Sequence, residues 1–155
     1  MAIPARAIEQ RLYSVLTGDQ ALNDLLADSV NVANYQIGVY AHVAPYTDSR
    51  SRKPPQLPYI VYAPVSSETD RAVCDQGFLT TMIYRLTVWD SESGASSLNR
   101  AYAIMDRIQT LLDRTENATG TIYGTLDSVI PTVDVSKDGR TDSGVTALFS
   151  IKFME

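Results

Sequence analysis

Cysteine and histidine are almost missing from this chain: Cys74 is the only cysteine and His42 the only histidine. A lone cysteine closes no intrachain disulfide and points to a reducing compartment. A zinc site built from one of each would have to be dominated by carboxylates, which zinc sites rarely are. A Cys–His nucleophile pair would need Cys74 and His42 to meet in space, and their spacing gives no reason for it. The chain has no Walker phosphate loop, no dinucleotide fingerprint and no nucleophile elbow. No catalytic, metal or cofactor site is therefore expected. Long apolar runs are missing as well, and nothing approaches the roughly 18 residues of a membrane span. The start, Met1-Ala2-Ile3-Pro4-Ala5-Arg6, lacks the apolar core of a secretory leader, so no membrane partner is expected. Without secretion the sequon Asn117-Ala118-Thr119 carries no weight. Basic excess is the last absence. Lys and Arg total 13 against 18 Asp and Glu, a net charge of -5, which excludes a nucleic-acid-gripping surface.

What is present suffices for one domain spanning 1–155. A chain of this length buries about 70% of its extended surface and builds its own core. The nine tyrosines read as core and interface anchors, since no RNA-binding signature accompanies them.

The strongest pattern runs through residues 77–115. From 79 to 90, Met82, Tyr84, Leu86 and Val88 alternate with Thr81, Ile83, Arg85, Thr87 and Trp89. A period of two over β-branched and aromatic residues predicts a strand with one buried face. Ile83 and Trp89 make the second face partly apolar, so a further element or another subunit is expected to cover it. After a Ser-rich loop, Ser96 or Ser97 caps a helix. Its stripe is Leu98, Ala101, Tyr102, Met105, Ile108 and Leu112, widened by Ile104 and Leu111. Arg100, Asp106, Arg107, Gln109, Asp113 and Arg114 take the opposite side.

Before this unit, Ile8, Leu12, Val15 and Leu16 predict one helix that starts near Pro4 and stops at Thr17-Gly18-Asp19. Asp19 caps a second, short helix with Ala21, Leu22, Leu25 and Leu26 inward. A first strand is predicted over 37–43 and a second over 59–63. Residues 45–58 contain four prolines with Asp48, Arg50, Arg52 and Lys53, an exposed loop of net charge +2. Residues 66–76 carry Glu68, Asp70, Arg71 and Asp75, a polar loop of net charge -2. After the long helix come a linker over 115–120, a short strand over 121–123, and a strand over 126–135 interrupted at Pro131. A turn-rich loop at 137–144 leads into a last strand over 145–154. Asp134-Val-Ser136-Lys-Asp138-Gly139 resembles the start of a calcium loop, but position twelve is Val145 where a bidentate Glu belongs, so a hairpin turn is the better reading. The fold class is α+β: a mixed or mainly antiparallel sheet of about five strands, with N-terminal helices and one long helix packed on it.

Several stretches carry a resemblance that covers nearly the whole chain. They are Ala7-Ile8-Glu9, Leu12 and Leu16-Thr17-Gly18-Asp19; Val39-Tyr40-Ala41-His42-Val43-Ala44-Pro45; Leu57-Pro58-Tyr59-Ile60-Val61; Tyr84-Arg85-Leu86-Thr87-Val88-Trp89-Asp90; and the closing alternation Phe149-Ser150-Ile151-Lys152-Phe153. In order and spacing they resemble the tail terminator, or tail completion, proteins of long-tailed bacteriophages and phage-like particles. The loop over 45–58 is longer than that family's pattern. The resemblance implies a structural virion protein at the head–tail interface, assembled in the host cytoplasm. It implies a homo-hexameric ring that caps the tail tube protein, ends tail polymerisation and presents a joining surface to the head connector protein, with DNA passing through the lumen unbound. It implies no catalysis. The alternatives are another head–tail connector, an adaptor or stopper, and from a different class a small-molecule-binding or enzymatic α+β domain.

Candidate interface residues follow from charge and exposure. Arg50, Arg52 and Lys53 on the basic loop suit an acidic protein partner better than a phosphate backbone. Glu68, Asp70, Arg71 and Asp75 offer the opposite sign, and two such loops suit heterologous contacts that close into rings. Ile83 and Trp89 mark the second face of the central strand.

Overall fold

The computed structural model describes residues 5–26, 38–42, 57–71, 78–91, 95–113, 115–117, 120–135 and 141–154. Its elements in chain order are α1 (Ala5–Gly18), α2 (Gln20–Leu26), β1 (Val39–Ala41), β2 (Tyr59–Arg71), β3 (Phe78–Ser91), α3 (Ala95–Asp113), β4 (Thr115–Asn117), β5 (Gly120–Val135) and β6 (Thr141–Met154). The strands form one six-stranded sheet in the order β1-β2-β3-β6-β5-β4. β1 runs parallel to β2, and every other neighbouring pair is antiparallel. The class is the α+β arrangement the patterns predict, with three helices on a mixed sheet.

The helices supply one side of the core and the sheet the other. From α1 and α2 come Ile8, Leu12, Leu16, Leu22 and Leu26; from α3 come Ala101, Ile104, Met105, Ile108 and Leu112. The sheet answers with Val39, Ile60, Tyr62, Met82, Tyr84, Leu86, Val88, Val145, Ala147, Phe149 and Ile151, all buried. The alternating residues of β3 and β6 therefore face the helices as their period requires. Where α3 crosses β5 the approach is very close. A Cβ on Gly124 would stand 2.6 Å from Leu112 Cβ, so only glycine lets helix and strand meet there.

Several boundaries differ from the sequence reading. β2 does not stop at Ala63 but runs to Arg71, so Glu68, Asp70 and Arg71 lie on a strand rather than a loop. Their backbone pairs with Thr81, Leu79 and Phe78 of β3, and a ladder hydrogen bond is indifferent to side-chain polarity. Three residues of the expected 115–120 linker form β4. β5 is one strand rather than two, and its irregularity falls between Leu126 and Ser128 rather than at Pro131. Pro131 keeps register opposite Val145. A proline without an N–H is tolerated there because, among the described residues, no strand pairs with the other side of β5 at that level. β6 begins at Thr141, inside the expected turn. On α3, Tyr102 belongs to the expected apolar stripe but is exposed. The basic loop residues Arg50, Arg52 and Lys53 lie outside the described residues, as do Cys74, Asp75, Asp138 and Gly139.

Two charged clamps hold the layers in place. Asp19 caps α2, accepting from the Leu22 amide at 2.8 Å. The same carboxylate receives Nε and Nη2 of Arg107 at 2.9 and 2.6 Å, which ties the α1–α2 corner to α3. The guanidinium, and then the Leu22 amide, hold Asp19 below the usual carboxylate range against an opposing push from desolvation. The second clamp joins the end of β3 to the first turns of α3. Asp90 is fully buried, and the Arg100 guanidinium grips both its oxygens, Nε at 2.6 Å. Arg100 and Arg107 both read from sequence as solvent-facing; a bidentate fork makes each a bridge instead.

Candidate functional site

Among the described residues, the helices cover one face of the sheet and no element covers the other. On the open face the register aligns rows across the strands. Tyr59 of β2 lies opposite Trp89 of β3, which lies opposite Gly144 of β6. In the next row of this face, Tyr40 of β1, Val61, Thr87, Thr146 and Ile130 of β5 are in line. Beyond it come Ala63, Arg85, Leu148 and Ser128, and then Ser66, Ile83, Ser150 and Thr125.

Local contacts set this face. Tyr40 and Tyr59 meet edge to face with ring centroids 5.8 Å apart. The hydroxyls of Thr87 and Thr146 share a hydrogen bond of 3.1 Å, and Ser150 donates to Asp127 Oδ2 at 2.6 Å. Gly144 is needed beneath Trp89. An added Cβ would fall 2.4 Å from Val88 O and 3.1 Å from the indole Cε3. Ile83 and Trp89 are half-buried on this face, as their alternation predicts; Arg85 and Lys152 are exposed beside them. The surface is mixed, with aromatic and aliphatic groups among hydroxyls and scattered charges. Such a composition fits a protein contact better than a bare solvent face.

The second feature is a groove between α1 and the end of β1, about 610 Å³, lined by Arg6, Glu9, Gln10, Tyr13, Ser14, Ala41, His42 and Tyr62. His42 does not lie on a strand, as the sequence suggests, but just past β1, where it adopts a left-handed backbone, φ 65°. Its amide donates to Tyr62 O at 2.7 Å and ends the strand. Nor is it without a partner: Nε2 stands 2.6 Å from Glu9 Oε1. Burial, and then the nearby Glu9 carboxylate, push the Tyr62 hydroxyl up to about 12, so it remains a neutral donor. A carboxylate–imidazole pair is part of a nucleophile-activating set. The serine hydroxyl of the groove, that of Ser14, donates instead to Gln10 O at 2.9 Å. The pair reads best as a tie between α1 and the sheet edge. Glu9 gave no signal in the sequence, being one polar residue among several on α1.

Of the candidate interface residues, the structure places Ile83 and Trp89 together on the open face. It sets Glu68, Asp70 and Arg71 far along β2, away from the row of Trp89. Among the described residues no cluster of three or more His, Cys, Asp or Glu is placed to hold a metal ion. No helix among them is long and apolar enough to cross a membrane.

No protein-family model matches the sequence, and no curated protein matches it. The fold, however, is shared. It is similar to a chain in a structure described as "Virion of native gene transfer agent (GTA) particle", with a TM-score of 0.57 at 14% identity. The match covers 93% of this chain and 92% of that one, so the likeness extends over the whole helix–sheet arrangement.

Proposed function

We propose that this chain is a structural virion protein of a phage or phage-like particle, and specifically a tail terminator. In this reading copies form a hexameric ring on the last ring of the tail tube, stop its polymerisation and offer the surface that meets the head connector. The observation that carries it is the end-to-end likeness to a chain of a gene transfer agent virion. The order and spacing of the motifs point the same way. The open sheet face with Trp89, Ile83 and Tyr59 supports it as a surface suited to assembly. A ring of six copies at -5 each carries about -30, which lets DNA pass through a lumen without sticking. The basic loop with Arg50, Arg52 and Lys53 is assigned in this proposal to the tail tube.

Electron microscopy of particles made without this protein tests the reading. Tails of excessive and variable length are the expected outcome. Tails of normal length that fail to join heads would instead assign the chain to the adaptor or stopper class. Normal, infectious or transfer-competent particles would remove it from the virion altogether.

A further inference from the structure

The two edges of the sheet are complementary to each other. β1 covers only Ile60 to Tyr62 on the outer side of β2, and β4 covers only Gly120 to Ile122 on the outer side of β5. Among the described residues, no strand pairs with the outer side of β2 from Ala63 to Arg71 or of β5 from Tyr123 to Val135. Following the rows across the sheet, β1 stands level with Val129, Ile130 and Pro131 of β5. In the same way β4, through Ile122 and Thr121, stands level with Thr69 and Asp70 of β2. The two short strands thus occupy diagonally opposite corners. Each sits at the height where no described strand covers the opposite edge.

Direction agrees as well. Taking β2 as up, β1, β6 and β4 run up while β3 and β5 run down. If a second copy is set beside the first without axial shift, its β1 lies antiparallel to the first copy's β5. The first copy's β4 then lies parallel to the second copy's β2, the same relation β1 already has to β2 within one chain. A single added column, filled at one end by β4 and at the other by the neighbour's β1, makes the two sheets continuous with all helices on one side.

Exposed apolar groups mark the same places. The described residues leave Val65 on β2 and Val129 and Ile130 on β5 exposed, at 57%, 37% and 59%. Two of these three stand level with the position of the neighbour's β1. The bulges at Val65 and Asp127 fall between the two short strands, where the added column has no strand to pair. His42, just past the end of β1, has a left-handed backbone.

We propose that copies of this chain join head to tail through these edges, β5 of one pairing with β1 of the next, with full bonding at Val129 and only a carbonyl offered at Pro131, and β4 of the first pairing with β2 of the next. The inference deepens the ring reading by naming the interface, and it can fail or hold separately from it. Tyr40 and Ile130 share one row but stand four strand spacings apart within a chain, roughly 19 Å, beyond the ~7 Å limit for a disulfide. In the full-length protein with Cys74→Ser, the pair Tyr40→Cys and Ile130→Cys is oxidised and resolved without reductant. The same is done with Tyr40→Cys and Ser128→Cys to allow for a shifted register.

An intermolecular ladder ending in one closed largest species is expected, while each single-cysteine variant stops at dimer. Ile130→Lys is expected to raise the concentration for half-assembly about tenfold or more with no change in fold by circular dichroism. A ladder that never closes would keep the edge pairing and overturn the ring. Assemblies seen by native mass measurement with no ladder from either pair would keep the ring and overturn the edge pairing. A protein that is monomeric at every concentration and forms no cross-link within particles would overturn the edge pairing too.

Discussion

Ile108→Ala is the sharpest test of the core. Ile108 is fully buried on the apolar stripe of α3, among the residues that join helix and sheet into one cluster. Truncation removes three carbons from a site with no solvent behind it. The change loses their transfer free energy and leaves a void that a helix pinned at Asp90 and Asp19 cannot easily close. Such substitutions cost about 2–5 kcal/mol, and pinning places this one near the middle, about 3 kcal/mol. For a domain of this size each kcal/mol lowers the melting temperature by about 2–4 °C, so a fall of roughly 6–12 °C is expected. Thermal and urea unfolding measure it. Both are run at several protein concentrations, because assembly stabilises the folded state by mass action. Gln109→Ala, one position along on the exposed side, is the control and should move stability by no more than about 0.5 kcal/mol. Equal effects at the two positions would show that α3 does not present this stripe to the sheet.

Gly144→Ala should destabilise by about 1–3 kcal/mol through overpacking against Val88 O and the Trp89 ring, and a change in Trp89 fluorescence should accompany it. Asp19→Asn keeps a good helix cap but loses the charge that Arg107 grips. The Asp19 pKa is lowered in the folded state, so its contribution is full above the ordinary carboxylate pKa and is lost as pH falls through the folded value. Acid titration of stability should therefore be shallower in Asp19→Asn, and identical curves would rule out this carboxylate as a contributor. His42→Ala and Cys74→Ser should leave particle activity intact under a purely structural role; a large loss in a folded His42 variant would point to chemistry in the Glu9 groove. Changing Arg50, Arg52 and Lys53 together to Glu should preserve folding and ring formation while tails overgrow, as seen by electron microscopy. Tails of normal length would refute the tube assignment, and a variant unable to form rings would move the loop to the neighbouring subunit.

The sequence alone determined what is local and periodic. The period of two over Met82, Tyr84, Leu86 and Val88 fixed the buried face of β3, because alternate side chains of a strand must point to opposite sides. The spacing of Ala101, Met105, Ile108 and Leu112 did the same for α3, and Asp19 announced a helix start because its carboxylate has a free amide to accept from. Even there Tyr102 slipped out of the stripe, since a helical period cannot say how wide the sheet beneath it is.

What only the tertiary structure decided depends on partners distant in sequence. The polar run from Ser66 to Arg71 is a strand because β3 supplies a ladder for it, a reason no property of those six residues contains. The burial of Asp90 is offset by Arg100, which arrives from the next element, and His42 is paired because α1 packs at the end of β1. Pro131 reads as a break in the chain but stands in register, because it lies on the outer side of β5, where no described strand asks for its missing N–H. Which strands stand at the edges, and which of their residues are level with one another, is likewise a matter of pairing order. Side-chain period is written into the chain one residue at a time. Strand order is chosen by the whole core at once, and that choice decides which face and which edges of this sheet the described residues leave uncovered.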